Sequence, residues 1–439
     1  MASLSTGLLT LALAGAILAA LVLLMLRKPL AVAAVILIVF VVTQGVRDDY
    51  EFPLVFKGTS IFLLDLLSLA LVSIGVYRAL SSGVVNAPLI LVFALLLLLG
   101  VHFLRGAADF GVDSAFNKSR IAVYFISPIV YASTVKRWDA RIWRLFPITS
   151  LVLLGIACFY YAKDGYHAMS ESFIRNGVLV DVRPVTAVGG LVVLGSIILI
   201  SALRWPSRRV ALGFALVSAA GLIGLQQRTV WVAAIVTGLV GLSTWAATRT
   251  WNSRQLVVGA ATSLASMLLV MSAFFLSHSL RADVTEITSS NSTIGWRITG
   301  WRELIAKYHS FTDIAFGLPA GASLDRRIHN TTVSVSPHSL YVDQYLRFGI
   351  PGVILIVSLG FLLWRHRAEI ATRVGLTPRC VTLLLIALFV YGLTYELGVV
   401  QGLILGIFVA ALSVRDAPSS TGIDRESDTS SDVLNLAAP

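Results

Sequence analysis

Apolar stretches about as long as a bilayer is thick recur from one end of this chain to the other. A helix rises ~1.5 Å per residue, so ~20 apolar residues cross the ~30 Å hydrocarbon core. Spans are expected near 7–26, 29–46, 59–80, 87–104, 120–135, 143–162, 184–203, 208–226, 230–247, 255–277, 340–364, 380–395 and 398–414. In lipid every backbone polar group must be satisfied inside its own element, which leaves helices for segments of this length. Composition agrees: 57% of residues are hydrophobic and 13% charged, against ~25% charged in soluble chains. The expected fold class is all-α, a polytopic integral membrane protein with about 12–13 transmembrane helices. One membrane domain is expected over 1–414, followed by a disordered cytoplasmic tail over 415–439 that is rich in Ser, Thr and Asp.

The loops assign sides. One alternating set holds Arg27–Lys28, Arg78, the basic cluster 136–144, Arg204–Arg209, Arg249–Arg254 and the basic cluster 365–379. Its only acids are Asp139 and Glu369, which marks it as cytoplasmic. The net charge of +11 is therefore read as orientation of helices, and no nucleic-acid platform is visible. The opposite set contains a long extracytoplasmic loop, about 278–338. Gly7–Leu26 lacks a basic start and a cleavage site, so it is expected to be a retained helix. Cys158 and Cys380 sit in or beside apolar runs and are expected as free thiols.

Four features on the outer side carry candidate chemistry. Ser336-Pro337-His338-Ser339 leads into the span at 340. Pro337 suits a first helical position with Ser336 as cap, which would put His338 in the first turn, on one face with Tyr341 and Tyr345. Such a histidine is either a polar cap or a neutral base for an attacking hydroxyl. Gln226-Gln227-Arg228-Thr229 makes a tight turn in which Arg228 either snorkels beside Trp231 or binds an anion. Within 291–308, Trp301, Leu304, Ile305 and Tyr308 recur at helical spacing, so a surface amphipathic helix is expected. Arg297 shares its apolar face and needs a partner or an anion, while Arg302 and Lys307 fall on the solvated side. Arg183, just before a span, is either an interface anchor or a further cation at the same rim. Guanidinium forks match phosphate oxygens at any working pH, so arginines with a histidine suit displacement of a lipid diphosphate by a hydroxyl without a metal or other cofactor.

Two features compete. Asp49 and Glu51 form an acid-x-acid pair in an early outer loop, which can hold a divalent cation or be merely solvated. Asp65 is expected about two turns into the third span, without a partner evident in the sequence. A deep acid also fits the alternative reading, a transporter or flippase of a polar or lipid-linked solute.

The pattern resembles the bacterial O-antigen ligase and polymerase superfamily. The resemblance rests on Gln227-Arg228-Thr229, Gly295-Trp296-Arg297-Ile298-Thr299-Gly300-Trp301, Phe316-Gly317-Leu318-Pro319-Ala320-Gly321, and His338 with Tyr341 running to Phe348-Gly349-Ile350-Pro351-Gly352. It covers mainly 220–355. Many members have His-Asn where this chain has His338-Ser339, and His329-Asn330 occurs nine residues earlier. The resemblance implies a GT-C-type glycosyltransferase in the bacterial cytoplasmic membrane, acting on its outer side. It would move a glycan from undecaprenyl diphosphate to a sugar hydroxyl on lipid A core or on a growing glycan. By position, Arg228 and Arg297 would hold the diphosphate and His338 would assist the acceptor. Arg183, Tyr341, Trp301 and Arg302 complete the expected substrate-binding set.

Overall fold

The computed structural model describes residues 22–45, 54–56, 59–83, 86–164, 172–175, 178–181, 184–203, 205, 207–225, 227–247, 293–308, 310–328, 331–334 and 337–413. Asp49, Glu51, Arg183, His329, Asn330, the span expected at 255–277 and the tail 415–439 lie outside the described residues.

The helices are α1 (Pro29–Gly45), α2 (Leu63–Ser82), α3 (Ala87–Phe110), α4 (Val112–Ser133), α5 (Ile142–Asp164), α6 (Ala187–Ile200), α7 (Arg208–Gly224) and α8 (Arg228–Ala247). After them come α9 (Thr293–Ile305), α10 (Phe311–Phe316), α11 (Leu340–Arg365), α12 (Arg367–Val374), α13 (Pro378–Gly392) and α14 (Val399–Ser413). Among the described residues, three two-stranded antiparallel hairpins interrupt them: β1 (Leu54–Phe56) with β2 (Thr59–Ile61), β3 (Ser172–Arg175) with β4 (Val178–Asp181), and β5 (Asp325–Ile328) with β6 (Thr331–Ser334).

Among the described residues, four helices are long and apolar enough to cross a membrane: Leu63–Ser82, Ala87–Phe110, Ile142–Lys163 and Leu340–Arg365. A fifth crossing exists if α12 and α13, bent by 111°, form one broken span. Five further apolar helices are shorter. The chain is thus an all-α, membrane-embedded protein.

Local chemistry sets the helix ends. Asn86 accepts the Leu89 amide ahead of α3, with Pro88 in the first turn. Thr377 accepts the Cys380 amide ahead of α13, with Pro378 at its start. Both are side-chain caps on otherwise unpaired amides. The core centres on α14, whose residues Val399–Ala411 are all buried. It lies directly on α4: an added Cβ at Gly402 would sit 2.3 Å from the Phe125 carbonyl oxygen, and one at Gly406 2.9 Å from Ile129 Cα. Small residues four apart let two helix backbones meet, which replaces the hydrophobic driving force that lipid removes.

Two expectations change. The helix expected at 120–135 begins at Val112: its first turns are polar and fall outside an apolar window, and Arg120, at the edge of that window, is ion-paired with Asp65. Asp65 lies in the first turn of α2, not two turns in, since residues 59–61 form β2. It has a partner: Arg120 Nη2 at 3.2 Å, with Tyr124 Oη donating at 2.6 Å and the Phe62 amide at 2.9 Å. A carboxylate so saturated serves the α2–α4 contact.

Candidate functional site

The chain enters α11 through Pro337-His338-Ser339, and the entry differs from expectation. Ser339, not Ser336, is the cap: its Oγ accepts the Val342 amide at 3.4 Å and its backbone is extended. His338 therefore lies outside the helix, not in its first turn. Its φ of 51° is in the left-handed region, where it stands alone among the described non-glycine residues. Holding an L-residue there costs about 1–2 kcal/mol, and such strain persists where the surroundings over-determine it. Tyr341 and Tyr345 consequently do not share the histidine's face. Tyr341 Oη donates to the Phe389 carbonyl at 3.3 Å, and the Tyr345 ring stacks on Tyr308 at 4.9 Å.

His338 meets Tyr395 instead, with ring centroids 5.3 Å apart. Tyr395 belongs to the connector between α13 and α14, and it stacks on Tyr391, one turn earlier, at 5.5 Å. The Leu340 amide donates to the Tyr395 carbonyl at 3.1 Å, which pins this connector against the start of α11. Arg297 closes the group. Its Cζ lies 5.0 Å from the Tyr395 ring centroid, and Nη1 donates to the Thr394 carbonyl at 3.1 Å.

The sequence places Arg297 there through α9. The helix turns ~100° per residue, so Arg297, Gly300, Trp301 and Leu304 fall on one face. Arg297, Gly300 and Leu304 are buried, whereas Ile305, expected on that face, is 42% exposed. Trp301 Nε1 donates to the Pro337 carbonyl at 2.6 Å, so this side chain holds the backbone next to His338. Arg302 points to solvent, as expected, while Lys307 donates to the carbonyls of Ser323 and Asp325.

Arg326, on β5, was not singled out by sequence. It is 2% exposed, and its Cδ occupies the space a Cβ at Gly300 would need, 2.6 Å away. Its charge acts on Glu396, Arg297 and Glu303. Glu396, also unanticipated, accepts the His338 amide, and its Oε1 is enclosed with no hydrogen-bond partner among the described residues. Burial, then the nearby Asp343 carboxylate, raises the Glu396 carboxyl to about 8. Burial lowers Arg326 to about 10 and also lowers Arg297. Both arginines remain cations at neutral pH. Burial, then the positive charges of Arg297 and Arg326, lowers the His338 imidazole to about 3. The site thus brings together two cations, a neutral imidazole and a carboxyl poised to titrate.

A pH dependence follows. The unfolded chain protonates this histidine near its ordinary 6.5, while the folded chain resists until about pH 3. Stability contributed here is complete above pH 6.5 and is lost as pH falls toward 3, with a slope approaching ~1.4 kcal/mol per pH unit. The thermal midpoint of the detergent-solubilised protein is expected to fall through that window less steeply in His338→Gln than in wild type. Equal slopes would remove the assignment.

The structure brings His338, Arg297 and Trp301 together and adds Arg326, Tyr391, Tyr395 and Glu396. Arg228, half-buried, opens α8, which packs on α13 with Gly241 beside Leu383 and Arg379. Gln227 and Val230, which flank Arg228, pack on Gly190 of α6, and Val188 of the same helix lies against Gly398, so the start of α8 is on the side of the bundle where the connector carrying Tyr395 runs. Gln227 donates to the Val185 carbonyl at 3.0 Å. Tyr341 lies one turn past His338, bonded away from it. Among the described residues no group of three or more His, Cys, Asp or Glu could hold a metal ion. No protein-family model and no curated protein matches the chain.

Proposed function

We propose that this protein is a membrane glycosyltransferase that moves a glycan from undecaprenyl diphosphate to a sugar hydroxyl on the outer side of a bacterial cytoplasmic membrane. It would be a polytopic enzyme of about 12–13 spans, GT-C-like in fold and similar to O-antigen ligases and surface-polysaccharide polymerases. The observation that carries this reading is a neutral histidine beside two buried arginines and a tyrosine stack.

The chemistry runs as follows. A diphosphate brings negative charge to Arg297 and Arg326, with Arg228 at the same end of the bundle. That charge offsets the cations that hold His338 neutral, so imidazole basicity rises when the donor binds. The acceptor hydroxyl attacks the anomeric carbon, a C–O bond to the acceptor forms, and the bond to the diphosphate breaks. His338 takes or orients the hydroxyl proton, and the arginines stabilise the leaving diphosphate. Attack from the back face inverts the anomeric centre. Glu396, holding the His338 amide, fixes the strained backbone that aims the ring.

A transporter reading draws support from the break in α11 at Gly349, where φ is 66° and ψ −159°. The freed backbone is taken up by the chain itself, since the Leu318 amide donates to the Leu346 carbonyl at 2.7 Å. This favours a static clasp over a solute site.

The test is reconstitution of the purified full chain in nanodiscs with a lipid-diphosphate glycan and a sugar acceptor. Transfer is expected to persist in EDTA, and deletion of the gene is expected to leave lipid-linked glycan unused. Chelator-dependent transfer would move the chemistry to Asp49 and Glu51. No transfer, with solute uptake into liposomes instead, would replace the enzyme with a transporter.

A further inference from the structure

The short helix α10 exposes large apolar side chains that the rest of the site does not use. Phe311 is 83% exposed, Ile314 38% and Phe316 43%. The helix is firmly built despite its length. Ser310 Oγ accepts the Asp313 amide at 3.1 Å, and the Gly317 amide closes the far end on the Asp313 carbonyl at 2.7 Å. Its polar side is tied to α3: Arg105 Nη2 lies 3.3 Å from Asp313 Oδ1, and Nη1 donates to the Gly317 carbonyl at 2.6 Å.

Depth decides what meets the apolar side. The turn after α10 docks on α3 well below that helix's end. The Ala320 amide donates to the His102 carbonyl at 3.2 Å, and Ala320 packs on Gly106. His102 and Gly106 precede Phe110, the last residue of α3, by eight and four residues, or ~12 and ~6 Å. α10 itself lies against the break in α11, where a Cβ on Gly349 would be 2.3 Å from the Ile314 carbonyl oxygen. Both helices expose apolar residues in this zone: Leu97 and Leu104 on α3, Ile350 and Ile354 on α11. α3 and α11 are two of the helices long and apolar enough to cross a membrane. The exposed side of α10 therefore continues a lipid-facing surface.

We propose that α10 is a lip set into the leaflet on the site's side of the bilayer, with Phe311, Ile314 and Phe316 among acyl chains and Asp313 facing Arg105. Aromatic side chains favour that boundary, and an apolar helix face lies in its plane. The Arg105 contacts keep the lip from swinging into water, so lipids at the site's edge pass over a fixed apolar sill. The proposal concerns the lipid surface and stands whether or not the chain transfers glycans.

Site-directed spin labelling of the full chain tests it. Cys158→Ser removes the exposed thiol, and Cys380 is buried. Labels are placed through Phe311→Cys and, separately, Ile314→Cys, in vesicles of phosphatidylcholine and phosphatidylglycerol. Phe361→Cys, on exposed α11, and Ser323→Cys, on an exposed polar turn, give lipid and water references. Collisions with oxygen are expected to exceed those with a water-soluble nickel chelate at 311 and 314, as at 361. Nickel access like that at 323 at both positions would overturn the lip. Protection from both reagents would also overturn it, showing a protein segment or second copy on this face.

Discussion

Arg297→Ala is expected to lower glycan transfer by about 10²–10³-fold while the protein still inserts and elutes as a single species. Arg297 is 7% exposed, and its guanidinium lies over Tyr395 and donates to the Thr394 carbonyl. The side chain does two things at once. In the proposed mechanism it would offer positive charge where a diphosphate leaves, and its charge disfavours protonation of His338. Removing it weakens leaving-group stabilisation and lets the imidazole titrate closer to its ordinary value, so the residual rate should also show an altered pH profile. Arg297→Lys keeps the charge but loses the fork and is expected to recover part of the rate. Arg326→Ala should cause a loss of similar size, and the double variant little more than either alone, since the two cations act on one group. The check is single-turnover transfer in nanodiscs with a fixed lipid-diphosphate donor. Near-wild-type transfer by Arg297→Ala would end the proposed mechanism.

The largest stability effect is expected at Gly106. A Cβ there would lie 2.0 Å from the Ala320 carbonyl oxygen and 2.6 Å from its carbon. Both are backbone atoms, and the Ala320 amide is already fixed on His102, so the turn cannot shift without losing that bond. Gly106→Ala should cost about 3 kcal/mol, the upper part of the range for overpacked sites. The comparison is Gly213→Ala and Gly238→Ala, on α7 and α8, where an added Cβ meets nothing within 4 Å. These should be neutral or stabilising by about 0.5–1 kcal/mol, the helical advantage of Ala over Gly. Thermal midpoints in detergent separate the two outcomes. A Gly106→Ala midpoint equal to that of Gly213→Ala would mean the turn does not clasp α3.

What could be read from the chain follows from the range over which its physics acts. Helices such as α3, α5 and α11 were legible because hydrocarbon length and residue polarity are local properties. Arg297 was legible because a cation on an apolar helical face is anomalous within a single turn. His338 could be singled out as a candidate, but its conformation could not be read: the choice between Ser336 and Ser339 as cap depends on which amide the packed chain leaves unpaired. Tyr391 and Tyr395 were passed over because they fall inside the apolar run at 380–395, and Glu396 because it sits in the short gap before the next run, where a spacer and a site look alike. The glutamate beside two tyrosines in so apolar a stretch was the signal available. Arg326 carried none. Its burial depends on Gly300 leaving room for it, a contact between residues twenty-six apart that no spacing rule predicts. Asp65 lacked a partner in sequence because Arg120 reaches it from another helix.

The shortest apolar helices have a consequence for where two reactants would meet. α6 has 14 residues, and α13 and α14 have 15 each, so they measure ~21–23 Å, less than the ~30 Å of hydrocarbon around them. Their near ends gather under the connector that carries Tyr395: Gly398 lies against Val188, and Gly392 against Leu340. α3, with 24 residues, is long enough to cross the hydrocarbon, at ~36 Å. Helices shorter than the hydrocarbon thin the bilayer around them, which would bring headgroups and water down toward the guanidinium groups beside this connector. In the proposed reaction a prenyl-anchored donor would approach from the side, its tail still immersed, while a sugar acceptor descends from the aqueous phase.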